Sequence, residues 1–164
     1  MLSLGIDPGT ASLGYGLVRE HDDGSLTCVH YDVIRTRADT PMPQRLKQIH
    51  DELVVIVERY QPDRAAVEEL FFARNVTTAI TVAQARGVVL LALQNAGLPI
   101  AEYKPNAIKQ SITGYGGADK TQMQEMVRLL LTLDNRPRPD DAADALAVAI
   151  ADLQHYRLAS FNTV

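Results

Sequence analysis

Three β-prone runs at the start of the chain constrain the fold most. LSLGID at 2–7 leads through the PGTASLG turn into GYGLVRE, and the HDDGS turn leads on into LTCVHYDVIRT. Turns this short join only antiparallel neighbours, so the spacing predicts a three-stranded meander. After Thr40-Pro41-Met42-Pro43 the period changes. Leu46, Ile49, Leu53, Ile56 and Val57 recur at helical intervals through Tyr60. A brief strand at 64–68 follows, then the FFARN loop, a long apolar helix over about 76–96, and a fifth strand at 98–103. From Pro105 the chain reads as three helical pieces, interrupted by GYGG at 114–117 and NRPRP at 135–139. This order implies an α/β fold, a five-stranded mixed sheet flanked by helices. No repeat or linker divides it. The expectation is one domain over 1–158 and a short, frayed C-terminal tail over 159–164.

A chain of 164 residues builds such a core without disulfides, and the single cysteine, Cys28, permits none internally. No apolar run approaches the roughly 20 residues of a membrane span. MLSLGID has neither a basic segment nor an apolar signal core, so a cytoplasmic protein without membrane attachment is expected. The formal net charge of −4 argues against a nucleic-acid partner, but its distribution does not. Residues 70–139 hold eight Lys/Arg against four Asp/Glu, leaving the acidic excess to the flanks.

The acids fall at strand ends and helix starts. Asp7 ends a strand at Gly-Ile-Asp-Pro-Gly, where it either organises the turn or projects from the sheet edge. Glu68 and Glu69 end a later strand, and alternation lets only one of them face Asp7's side. Periodicity does not choose between the two. Asp141 and Asp144 are three apart in DDAADALAVAIADL and share one helix face, with Asp140 read as the N-cap. Dipole complementarity explains acids at a helix start. It does not explain Asp144 among Ala142, Ala145 and Leu146. Four carboxylates without a histidine or cysteine cluster form an all-oxygen set suited to Mg²⁺ or Mn²⁺ rather than zinc. Two such ions about 3.5–4 Å apart serve phosphodiester hydrolysis.

GIDPGTASLGYGLV, AAVEELFFARN, AQARGVVL, KQSITGYGGADKTQMQEMVR and PDDAADALAVAI, in this order, closely resemble the RuvC-type Holliday junction resolvases. The resemblance spans nearly the whole chain. It implies an RNase H-like fold and a homodimeric endonuclease that resolves four-way junction DNA by paired symmetric nicks in recombination and repair. It also implies work alongside the RuvA and RuvB branch-migration proteins. By matched positions the catalytic, metal-holding tetrad is Asp7, Glu68, Asp141 and Asp144, with two Mg²⁺ ions per site and Mn²⁺ as a substitute. Glu69 and Asp140 stay outside it.

For DNA contact, Phe71 and Phe72 stand in a loop with Arg74 and Asn75, where an aromatic ring either stacks on unpaired bases or plugs the core. The resemblance favours Phe71 as the wedge and leaves Phe72 between the two roles. Lys109 and Lys120 match basic positions of the family. Lys120 opens a helix that Asp119 caps, with Gln122 completing a capping box. Arg136 and Arg138 have either phosphate or the acids Asp134 and Asp140 as partners. Ala79, Ala83 and Gly87 form a small-residue stripe for sheet packing or a dimer contact. His21, His30, His50 and His155 suggest no shared site.

Two other classes remain in view. A nucleotide-binding phosphotransferase also carries D-P-G-T at a strand end, but needs two such domains. An inert junction-binding module would use its acids only to repel misplaced DNA. Relatives often continue past the last helix with a basic tail, so the nearly neutral segment ending at Val164 predicts weaker, more salt-sensitive junction binding.

Overall fold

The computed structural model describes residues 1–69 and 76–161. β1 (Leu2–Asp7), β2 (Ser12–Glu20) and β3 (Leu26–Arg35) form the expected antiparallel meander. β2 begins two residues earlier than the turn signal suggested, because Leu13 is wholly buried and pairs with Ile34. β4 (Arg64–Glu68) then pairs parallel with β1, and β5 (Ile100–Tyr103) parallel with β4, giving the order β3-β2-β1-β4-β5. β5 starts two residues later than expected.

Alternation assigns the two faces. Leu2, Leu4 and Ile6 of β1, with Ala65 and Val67 of β4, pack in one apolar cluster with Ile49, Leu53, Ile56 and Val57 of α1 (Met42–Tyr60). Ala85, Val89 and Leu93 of α2 (Val76–Asn95) join it. The opposite face carries α3 (Pro105–Thr113), α4 (Lys120–Leu130) and α5 (Asp140–Phe161), whose apolar side chains cluster with Val18 and Ala66. Among the described residues no helix is long and apolar enough to cross a membrane.

α5 is the central element. From Ala142 to Leu153 every residue except Asp144 is buried. Its backbone lies directly on the sheet, which is possible only because Gly5 and Gly14 face it. A Cβ on Gly5 would come to 2.1 Å from the Ala145 carbonyl oxygen, and one on Gly14 to 1.9 Å from that of Asp141. Two expectations about α5 need correction. It runs through Phe161, into the segment expected as a tail, with its last turns in solvent. Asp140 lies inside its first turn rather than capping it, since the amides of Ala142 and Ala143 already bond to Pro139's carbonyl.

Candidate active site

Strand register brings the acids together. Ser3 to Ile6 pair in step with Arg64 to Val67, so the next residues, Asp7 and Glu68, emerge side by side at the C-terminal ends of two neighbouring interior strands. On its other flank Asp7 pairs with Gly14, and bare Gly14 admits the backbone of Asp141. The helical i, i+3 spacing then sets Asp144 beside Asp141. Oxygens of Asp7, Asp141 and Asp144 all lie within 4.8 Å of one another. Glu68 joins them through a hydrogen bond with Asp7. Register places Glu68 beside Asp7, and the backbone amide of the next residue, Glu69, bonds to the Tyr103 carbonyl at 2.8 Å.

Crowding like charges in a half-buried site disfavours ionisation. Burial first, then the charges of Glu68, Asp144 and Asp141, push the Asp7 carboxyl up to about 8. Glu68 is also raised, chiefly by burial and with help from Asp144. The hydrogen bond from Asp7 and the positive charge of Lys109 act against this. Asp144 is raised by burial, with Lys120 opposing and Asp141 and Asp140 adding. Oxygen donors that are both buried and crowded against one another fit a hard divalent cation, which would supply the missing countercharge.

Both lysines expected at DNA stand at this site. Lys109 and Lys120 rim a cavity of about 220 Å³ together with Glu68 and Asp144, over a floor that includes Ile108, Met123 and Val148. Lys120 Nζ sits 3.2 Å from Asp140 and 3.5 Å from Asp144. The capping box that orients its helix is present, with Asp119 and Gln122 exchanging bonds of 2.8 and 2.9 Å. Asp140 thus serves the site indirectly, taking Lys120, Gln124 and Arg138 as partners. Arg138 pairs with the acid Asp140, whereas Arg136 bonds Glu125 at 2.9 Å rather than Asp134. Phe71, Phe72 and Arg74 lie outside the described residues.

Sequence reasoning assigned no role to Arg86. It donates through Nε to the Glu68 carbonyl at 3.3 Å and pairs with Glu102, bracing the end of β4 from α2. The available signal was its being the one charge in the 20-residue helix VTTAITVAQARGVVLLALQN.

The family model described as crossover junction endodeoxyribonuclease RuvC matches residues 3–152. This chain belongs to the RuvC family. RuvC of Chloroflexus aggregans is 63% identical over 150 residues, covering 92% of this chain and 91% of that one. The Thermus thermophilus RuvC structure superposes with a TM-score of 0.91 at 37% identity, covering 97% of each chain. A second Thermus structure, RuvC in complex with a Holliday junction substrate, gives 0.88 at 35% identity and covers 96% of each. The fold is accordingly RNase H-like.

Proposed function

We propose that this chain is a metal-dependent endodeoxyribonuclease that resolves Holliday junctions by paired symmetric nicks. The observation that carries the reading is the convergence of Asp7, Glu68, Asp141 and Asp144 beside Lys109 and Lys120, in a chain of the RuvC family. The four carboxylates would hold two Mg²⁺ ions, with Mn²⁺ as a substitute. Bound there, such ions lower the pKa of water and neutralise charge developing on a phosphodiester.

The chain's own residues do the rest. Asp7 gives up the proton it holds against Glu68, and the four carboxylates present oxygens fixed by two strand ends and one helix turn. Lys109 and Lys120 hold the phosphates that flank the cut, Lys120 leaving Asp140 and Asp144 to do so. Phe71, Phe72 and Arg74 engage the distorted strand near the branch point. A junction has two equivalent strands to cut, which suits a homodimer. α2 offers an open face for it, with Ala83 and Gly87 exposed beside Ile80 and Leu91, rather than packing that stripe on the sheet. RuvA and RuvB are the expected partners in branch migration.

The test is a synthetic four-way junction with Mg²⁺, cut by the native chain and by Asp7→Asn. Symmetric nicks from the native chain, with a loss of at least about 10³-fold in the variant, are expected. Full activity in the variant, or no nicks from the native chain, would sink the reading.

A further inference from the structure

A buried polar cluster lies between α5 and the sheet, with Ser3 and Arg64 at the strand ends opposite the acids. Asp152, wholly buried on α5, accepts hydrogen bonds from Ser3 Oγ at 2.7 Å, Arg64 Nε at 2.6 Å, Arg64 Nη2 at 2.8 Å and the Tyr103 hydroxyl at 3.1 Å. Tyr156, on the next turn of α5, lays its ring 4.3 Å from the Arg64 guanidinium carbon. Asp152 therefore ties α5 to β1, β4 and β5 at once. β1, β4 and α5 are the three elements that carry Asp7, Glu68, Asp141 and Asp144.

The spacing is matched on all three. Ser3 and Arg64 face each other across the parallel pair. Each stands four residues before its strand's acid, which is about 13 Å at the rise of a strand. Asp152 stands eight residues after Asp144, about 12 Å along a helix. Between the two ends the contact is made by small residues. Gly5 lies against Ala145 and Ala149, and Ala66 packs in the same cluster as Ala149. Such smooth surfaces approach closely but present no bulky knob to resist sliding along the helix axis. Directional, charge-assisted hydrogen bonds do resist it. Net stability is a poor reason to keep such a pair, since apolar replacements are often as stable, whereas setting a register is a documented use of buried polar groups.

We infer that Asp152 is a positioning residue for the carboxylate site. Its bonds to Ser3 and Arg64 fix the axial register of α5 on β1 and β4, and hence how Asp141 and Asp144 meet Asp7 and Glu68. The inference rests on reading those four acids as the metal-holding set.

The test compares the full chain with Arg64→Lys and with the double variant Asp152→Leu/Arg64→Met, which exchanges the ion pair for apolar groups. Thermal midpoint, Mn²⁺ affinity by calorimetry, and kcat and KM on a four-way junction are measured. The double variant is expected to fold and keep its KM for the junction. Its Mn²⁺ affinity and kcat should each drop about tenfold or more, because displaced ligands cost far more than their distance suggests. Unchanged Mn²⁺ affinity and kcat in the folded double variant overturn the inference. Should that variant fail to fold, Arg64→Lys decides. Lower Mn²⁺ affinity and kcat support the role, and a lower midpoint with both unchanged refutes it. A native chain that binds Mn²⁺ but leaves junctions uncut defeats the nuclease reading alone, and the Mn²⁺ arm still judges Asp152.

Discussion

Burial first, and then the charges of three other carboxylates, push the Asp7 carboxyl up to about 8 in the metal-free chain, so it keeps its proton at neutral pH. The unfolded chain releases that proton near the ordinary value of 3.8, and the folded chain near 8. Between these values the folded state binds more protons, so this group's stabilising contribution is complete at low pH and lost as pH rises through 8. The slope from one such proton is at most about 1.4 kcal/mol per pH unit. Asp7→Asn removes both the proton and the repulsion. Calorimetry of both chains in EDTA should therefore find the native midpoint falling relative to the variant's between pH 5 and pH 8. Parallel curves would show that Asp7 ionises normally. A divalent ion replaces the proton, so the difference should shrink in saturating Mg²⁺.

At the scale of elements, the site depends on how closely α5 lies on β1 and β2. Gly14 has no positive φ among the chain's backbone exceptions, so it is required here for space rather than conformation. In Gly14→Ala the new methyl meets the backbone of Asp141, which no rotamer change relieves. A loss of about 3 kcal/mol is expected, as for overpacked cores. Cleavage should fall further than the folded fraction does, because the helix turn bearing Asp141 must lift. Gly116→Ala, whose added Cβ meets its nearest neighbour at 3.7 Å, is the comparison expected to be nearly neutral in urea titrations. Most of the elements were legible in the sequence because their signals are local: the strand turns of the meander, the apolar spacing of α1 and the capping box at Asp119 each recur over a few residues. Asp141 and Asp144 were legible for the same reason. Glu68 against Glu69 was legible only through the family resemblance and not from periodicity, since the physical choice lies in how β1 registers with β4, some 60 residues away. Arg86 and Asp152 were missed on similar grounds, their partners standing 18 and 88 residues off in the chain. The start of β2 was misplaced because the Pro8-Gly9 turn signal overran a strand that tertiary pairing extends.

For the whole molecule, the net charge of −4 conceals an opposition between one acidic centre and the lysines around it. Without a divalent ion the acids repel DNA, and they also detain Lys120, which lies between Asp140 and Asp144. Removing one of these acids should have opposite effects on binding and cutting. Asp144→Asn takes away a charge at contact distance from the lysine, worth about 1 kcal/mol in a solvated setting. In EDTA the variant should bind a four-way junction about fivefold more tightly than the native chain, while losing cleavage in Mg²⁺. Lys120→Gln should do the reverse in binding. It should weaken junctions of every sequence alike and reduce the dependence of log Kd on log salt by about one phosphate contact. Fluorescence anisotropy at two salt concentrations measures both effects. If Asp144→Asn binds no tighter than the native chain in EDTA, the acids do not restrain Lys120, and the affinity for DNA must come from elsewhere on the basic middle of the chain.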